Sequence, residues 1–257
     1  MASRSIAIAE PPSSHLRAFV RIAGLGFWFL LCIVPHLLSS LAGRSGWPRR
    51  FMRGAAAICG ADVRCDGEPA TRGTLLIANH SSWLDIPVLI AATGSTLVSK
   101  AEMSRNPLVR WFADQNDTIY VDRADKRSIH SQASALTDAL KGDKPVGLFP
   151  EGTVGNGGRL LPFKPALLAA VAPPPAGTMI RPAPIDYGPL ARTIGWGPEE
   201  AGVTNALRVL GRKGRFRVTV HLLPTLPQSA DRKELARLAH DAIAAALAPS
   251  GVEPAGV

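Results

Sequence analysis

The sequence predicts an α/β fold: a mostly parallel sheet covered by helices, with an N-terminal membrane-inserted helical element. Three observations predict it. Short apolar runs bounded by turn residues recur from Thr74 onward, helix-periodic segments lie between them, and Ile22 to Ala42 holds 21 residues without a charged side chain. Strands that alternate with helices favour parallel pairing, because each crossover helix covers a face of the sheet.

Taken in order, residues 1–15 contain Pro11-Pro12-Ser13-Ser14 and read as a flexible arm. Residues 16–43 hold the apolar run, close to the roughly 20 residues that cross a bilayer. A secretory signal fits poorly, because the polar stretch before the run is about twenty residues long, too long for a signal's basic leader. Arg4, Arg17 and Arg21 precede the run and Arg44, Arg49, Arg50 and Arg53 follow it. With so little charge bias between the flanks, a single span has no clear orientation. Pro35 interrupts the run as well. A helix pair bent near Pro35, dipping into one leaflet and returning, brings both basic flanks to one anionic lipid surface. That hairpin is the preferred reading, and a single spanning helix is the alternative. Residues 44–61 read as a basic amphipathic connector.

Strands are expected at Thr74–Ala78, Thr96–Val98, Ile119–Val121, Val146–Phe149, Ile180–Ile185 and Phe216–Leu222. Ile129, Ala133, Leu136 and Leu140 make a helical stripe that Gly142 can close. Leu235, Leu238, Ala242 and Ile243 line a later helix that Ser229 or Asp231 can cap. Pro173-Pro174-Pro175 and the stretch from Gly188 to Gly202 read as loops, and residues 249–257 as a disordered tail.

The 257 residues suffice for one α/β domain and a small extra element. Lys and Arg number 29 against 20 Asp and Glu, for a formal net charge of +9. A basic surface suits an anionic membrane, a phosphate-bearing substrate or nucleic acid. Aromatics are only 6%, and there is no zinc finger, RNA-recognition signature or long basic run, so no nucleic-acid partner is expected. Cys32, Cys59 and Cys65 are odd in number and lack a Cys-x-x-Cys spacing, which argues against a disulfide framework or a metal site.

Two segments carry the chemistry. In the first, an apolar run ends at Asn79, His80 follows, and Ser81 or Ser82 can cap a helix beginning near Trp83. Parallel sheets bind ligands beyond the carboxyl ends of their strands, and His80 falls there. Asp85 lies five residues on. Its carboxylate can reach back to one imidazole nitrogen, fix the tautomer and leave the other nitrogen as a proton acceptor. The second segment, Val146 to Thr153, also ends in a polar turn: Glu151 offers a carboxylate, Gly152 a close backbone approach, and Thr153 a hydroxyl. Either segment alone is common by chance.

Together they resemble the lysophospholipid acyltransferase family of the PlsC type. Asn79 to Asp85 matches its His-(x)4-Asp motif and Phe149 to Thr153 its Phe-Pro-Glu-Gly-Thr motif. Tyr120 to Arg123 is similar to its arginine-bearing block, Arg181 to Ile185 to its late Pro-containing strand, and Lys100 to a lysine after the second strand. The resemblance covers roughly residues 55 to 225, within an acyltransferase domain over 44–248.

The resemblance implies an O-acyltransferase at the inner (cytoplasmic) membrane, its active site facing the cytoplasm. Its substrates would be an acyl thioester, acyl-CoA or acyl-acyl carrier protein, and a lysolipid. No bound cofactor is implied, and acyl carrier protein is a candidate partner. His80 would deprotonate the acceptor hydroxyl, oriented by Asp85. Lys100 or backbone amides near Gly152 would stabilise the oxyanion. Arg123, Glu151 and Thr153 would position the acceptor. No Gly-x-Ser-x-Gly elbow is present and no cysteine adjoins either motif, in keeping with direct transfer.

One position departs from the pattern. Many relatives that use lysophosphatidic acid carry Arg directly after Phe-Pro-Glu-Gly-Thr, where this chain has Val154. Either Arg159 or Lys164 replaces that phosphate ligand, or the acceptor is not a simple phosphomonoester. The run from Arg159 to Lys164 looks more like bacterial lyso-ornithine lipid acyltransferases.

Overall fold

The computed structural model describes residues 14–41, 46–121 and 129–254. The chain opens with α1 (His15–Leu41), one helix of 27 residues that contains Pro35. The expected helix pair is therefore one helix that continues through Pro35. Proline costs this helix one amide donor, but side-chain bonds hold it to the domain on both sides of that position. Trp28 Nε1 donates to the Phe51 carbonyl at 3.1 Å, and His36 Nε2 lies 2.7 Å from Gln115 Oε1. The connector forms α2 (Trp47–Ile58), with Pro48 in its first turn where a missing N–H costs nothing. Its Arg49 donates to the carbonyls of Ala91 and Ala92.

From there strands and helices alternate. β1 (Ala61–Asp66) and β2 (Thr74–Ile77) lead to α3 (Asp85–Thr93), which ends at Gly94 in the left-handed conformation. Next come β3 (Thr96–Lys100), α4 (Pro107–Asp114), β4 (Ile119–Val121), α5 (Ile129–Lys141) and β5 (Val146–Leu148). β6 (Arg159–Leu160), β7 (Met179–Pro182), β8 (Ile185–Asp186), α6 (Ala191–Ile194) and α7 (Gly202–Gly211) follow. β9 (Phe216–His221), α8 (Arg232–Leu247) and β10 (Glu253–Pro254) end the described chain. Asp231 caps α8 by accepting the Lys233 amide at 2.8 Å.

The main sheet has five strands in the order β4-β3-β5-β2-β7, and every pairing in it is parallel. A second sheet, β1-β9-β8, pairs β1 with β9 in parallel and β8 with β9 antiparallel. β2 shows why these strands read as continuous apolar runs. Leu76 and Ala78 face a core that includes Leu84, Val88 and Leu89 of the segment carrying α3. Leu75 and Ile77 face the opposite core, with Leu136 of α5 and Leu235 and Ile243 of α8. Successive side chains point to opposite faces, and here both faces are dry.

Several expectations change. The run Ile180–Ile185 is two strands in different sheets, because the chain turns at Ala183-Pro184 and proline cannot donate to a ladder. The stretch from Gly188 to Gly202 contains α6 rather than loop alone, and α7 follows it. The supposed tail is ordered as far as Pro254: Glu253 and Pro254 pair in parallel with Arg159 and Leu160. Val252, half-buried, packs against both cores and anchors that pairing. Ending the chain at Gly251 removes the pairing and this contact. A loss of about 1–2 kcal/mol is expected from the valine alone, read as a lower urea midpoint with unchanged slope.

Candidate active site

The sheet register assembles the site. Ile77 of β2 lies opposite Leu148 of β5 and Pro182 of β7. The Ala78 amide donates to the Leu148 carbonyl, and the Ala183 amide to the Ile77 carbonyl. Parallel strands advance together, so His80, Glu151 and Ile185 emerge side by side, each three residues past that row. Asn79 ties the end of β2 to the start of β8: its Nδ2 donates to the Ile185 carbonyl at 3.1 Å and its Oδ1 accepts the Ile185 amide at 2.7 Å.

His80 Nδ1 sits 3.0 Å from Asp85 Oδ2. That oxygen also accepts the amides of Ser81 at 2.6 Å and Ser82 at 2.8 Å. Asp85 Oδ1 accepts the Tyr187 hydroxyl at 2.6 Å. Asp85 is 0% exposed, so these donors replace the water its charge has lost. The imidazole stacks on Phe149, with centroids 4.4 Å apart and planes inclined by 21°. With Nδ1 donating to the carboxylate, Nε2 is the accepting nitrogen. The pocket in front of His80 is lined by Glu151, Arg159, Asp186, Tyr187 and Val252, among others.

Glu151 is nearly as buried as Asp85, at 3% exposed. Its Oε1 accepts the His80 amide at 2.7 Å and its Oε2 the Leu161 amide at 3.3 Å. It thus ties the histidine turn to the strand after its own. Burial pushes its carboxyl up from 4.5 to about 8, the two amides pull it down, and the Asp85 charge adds to the rise.

The other sequence-derived residues are placed less centrally. The Gly152 amide closes a turn onto the Phe149 carbonyl at 3.3 Å, with the glycine at φ +72. Thr153 and Lys100 are exposed, and Lys100 ends β3, which β5 separates from β2. Arg123 lies outside the described residues. Beyond Val154 the chain is pinned by contact: the Gly155 amide donates to the His80 carbonyl at 2.8 Å. A side chain at Gly157, φ +74, would stand 1.9 Å from the Ala191 carbonyl oxygen. In the sequence Asn79 reads only as the end of a strand and the start of a motif, and Tyr187 is not among the candidate residues. Both act across more than 100 residues, and only the exit of Tyr187 just past an apolar run hinted at a place at the sheet edge.

A half-buried imidazole held by a buried carboxylate at the carboxyl edge of a parallel sheet, beside a glutamate turn, fits an acyl-transfer enzyme. Residues 62–185 match the Acyltransferase family model. The chain belongs to this family of lysolipid acyltransferases, as its relatives show. It is 37% identical over 204 residues to the lyso-ornithine lipid O-acyltransferase of Pseudomonas aeruginosa, covering 75% of this chain and 76% of that protein. The Rhizobium meliloti enzyme of the same name is 32% identical over 214 residues, covering 77% and 73%. The 1-acyl-sn-glycerol-3-phosphate acyltransferase of Helicobacter pylori is 31% identical over 155 residues, covering 59% and 65%. The fold is that of the crystal structure of PlsC from Thermotoga maritima, with a TM-score of 0.61 at 17% identity over 90% of this chain and 96% of that one.

The Glu151 carboxyl sets a pH dependence. The folded protein keeps a proton between pH 4.5 and about 8 that the unfolded chain has released, so stability falls as pH rises through that window. Glu151→Gln, neutral throughout, is expected to lose that slope in thermal melts from pH 5 to 8. Parallel curves for the two proteins would show that Glu151 ionises normally.

Proposed function

We propose that the enzyme moves a fatty acyl group from acyl-CoA or acyl-acyl carrier protein to the free hydroxyl of a lysolipid, with His80 as the general base. The observation that carries this reading is the fixed His80–Asp85 pair with Nε2 left to accept a proton. The acceptor hydroxyl gives its proton to Nε2 as its oxygen bonds to the thioester carbonyl carbon. The imidazolium so formed faces the Asp85 carboxylate. The tetrahedral intermediate then collapses, the C–S bond breaks, and the proton on Nε2 passes to the leaving thiolate. Lys100 and the backbone around Gly152 are the candidates for steadying the oxyanion, and Thr153 and Arg123 for holding the acceptor. Glu151 acts from behind, through the His80 amide.

Lyso-ornithine lipid is the acceptor this pocket suits better than lysophosphatidic acid. An ornithine headgroup carries a free carboxylate and a free ammonium. Besides His80 and Glu151, the pocket is lined by one basic and one acidic side chain, Arg159 and Asp186, and Val154 stands where a phosphate-binding arginine is expected. Asp186 already accepts the Gly188 amide and the Ser250 hydroxyl, yet a carboxylate has lone pairs for a further donor. The names of the relatives at 37% and 32% identity support the same choice.

Helix α1 is the proposed membrane element. Among the described residues it is the one helix long and apolar enough to cross a bilayer. Phe19, Phe27, Leu30, Val34 and Leu38 are exposed along it. Its other face is fastened to the domain from Arg17, which donates to the Gly211 carbonyl, to His36. A helix docked along its length favours immersion in one leaflet over a perpendicular span. Arg49, Arg50 and Arg53 of α2 and the net charge of +9 suit the anionic cytoplasmic face of the inner membrane.

His80→Ala is expected to abolish acyl transfer from a labelled thioester while the protein stays folded. Full activity in that variant would end the base reading. In a panel of lysolipids with products resolved by mass, lyso-ornithine lipid should be acylated in preference to lysophosphatidic acid. Asp186→Asn should raise KM for the ornithine acceptor and leave KM for the thioester unchanged.

A further inference from the structure

We infer that Tyr187 is a positioning residue for the transfer reaction: its hydroxyl fixes the second oxygen of the Asp85 carboxylate and so holds His80 in the productive orientation. The inference rests on the reading of His80 as the base. Three donors converge on Asp85 Oδ2: His80 Nδ1, the Ser81 amide and the Ser82 amide. Bonds to a single oxygen leave the other, Oδ1, to be satisfied separately in a site without water. The Tyr187 hydroxyl, 2.6 Å from Oδ1, is the donor that meets it and gives the carboxylate a second fixed point. Both groups are dry, with Tyr187 at 2% exposed and Asp85 at 0%, so solvent cannot take the phenol's place.

The tyrosine is itself held from several sides. Its ring packs near Phe216 of β9, with centroids 6.2 Å apart, and belongs to the core that contains Leu84 and Val88. The Gly188 amide, bonded to Asp186 Oδ1 at 2.7 Å, turns the chain at this point, and Gly188 takes the φ of +58 that the turn requires. Burial first, then the Asp85 charge, pushes the phenol's pKa well above 10, so it remains a donor wherever the enzyme works.

Charged or titratable groups approach the pair from each neighbouring element. They are His80 after β2, Glu151 after β5, Arg159 of β6, Asp186 of β8, and the Cys59 thiol after α2. Only the Tyr187 hydroxyl meets Asp85 Oδ1 among the contacts the described residues show. Without it, the carboxylate's charge is shared with one donor fewer and falls more heavily on the imidazolium. The imidazolium then keeps its proton to higher pH and returns it more slowly to the departing thiolate.

The test uses the full chain with a labelled acyl thioester and lyso-ornithine lipid, comparing wild type, Tyr187→Phe and His80→Ala. Tyr187→Phe is expected to lower kcat about tenfold or more, with both KM values nearly unchanged. It should also move the acidic limb of the kcat–pH profile upward. A hydroxyl that only stabilises the fold would, once removed, lower the melting temperature and leave the limb in place. An unmoved limb and wild-type kcat per folded molecule would overturn the inference. If His80→Ala stays active, the base reading falls instead, and the two failures are distinct.

A second measurement does not depend on how well the phenylalanine variant folds. The chain has two tyrosines, Tyr120 and Tyr187. In a Tyr120→Phe background, fluorotyrosine supplied in growth medium therefore labels position 187 alone. The more acidic phenol is a stronger donor and should shift the acidic limb downward. No shift there would equally overturn the proposal.

Discussion

The Asp85 carboxylate reaches no solvent, and the shape of the active site follows from how that charge is satisfied. Desolvating an anion is costly unless hydrogen bonds replace its water. Here the replacements come from three places: the imidazole, two consecutive backbone amides just before α3, and a phenol just past β8. Each donor pays out its bond only in one geometry, so the charge that must be satisfied also fixes the turn that carries it. The His80 ring is then confined between this carboxylate and the Phe149 face. A catalytic base prepared in this way has little left to reorganise when substrate arrives.

The second carboxylate serves differently. Glu151 lies one strand over at the same height as His80, yet its oxygens point to backbone amides. It joins the turns after β2 and β5, whereas the resemblance alone assigns it to the acceptor. The two acids thus share one edge of the sheet with unlike surroundings: two amides for Glu151, and for Asp85 two amides, an imidazole and a hydroxyl. Unlike environments for neighbouring carboxyls are how one site assigns them separate duties.

What could be read from the chain beforehand depended on distance along it. His80 and Asp85 are five residues apart, and the strand end, serine turn and helix start between them are local signals. Glu151 was legible because a second apolar run ends in a turn of the same kind. The parallel register then does the rest, bringing equal offsets from Ile77 and Leu148 together. Tyr187 meets Asp85 across 102 residues, and a lone tyrosine beyond a strand carries no mark of its partner. The pairing of Glu253-Pro254 with β6 was hidden for another reason: two residues, one of them proline, have almost no strand propensity. Pro35 misled in the opposite direction: the helix, tethered at Trp28 and His36, continues past it where two helices were expected.

The bonds from Arg17 and Arg21 to the carbonyls of Leu210, Gly211 and Gly214 fasten α1 to the catalytic domain. If α1 rests in a leaflet, the mouth of the pocket stands at a set height above the lipid. The enzyme then surveys its acceptor by gliding over a surface instead of tumbling through a volume. Its velocity should follow the acceptor's mole fraction in the bilayer, and diluting the vesicles at constant lipid composition should leave turnover per bound enzyme unchanged.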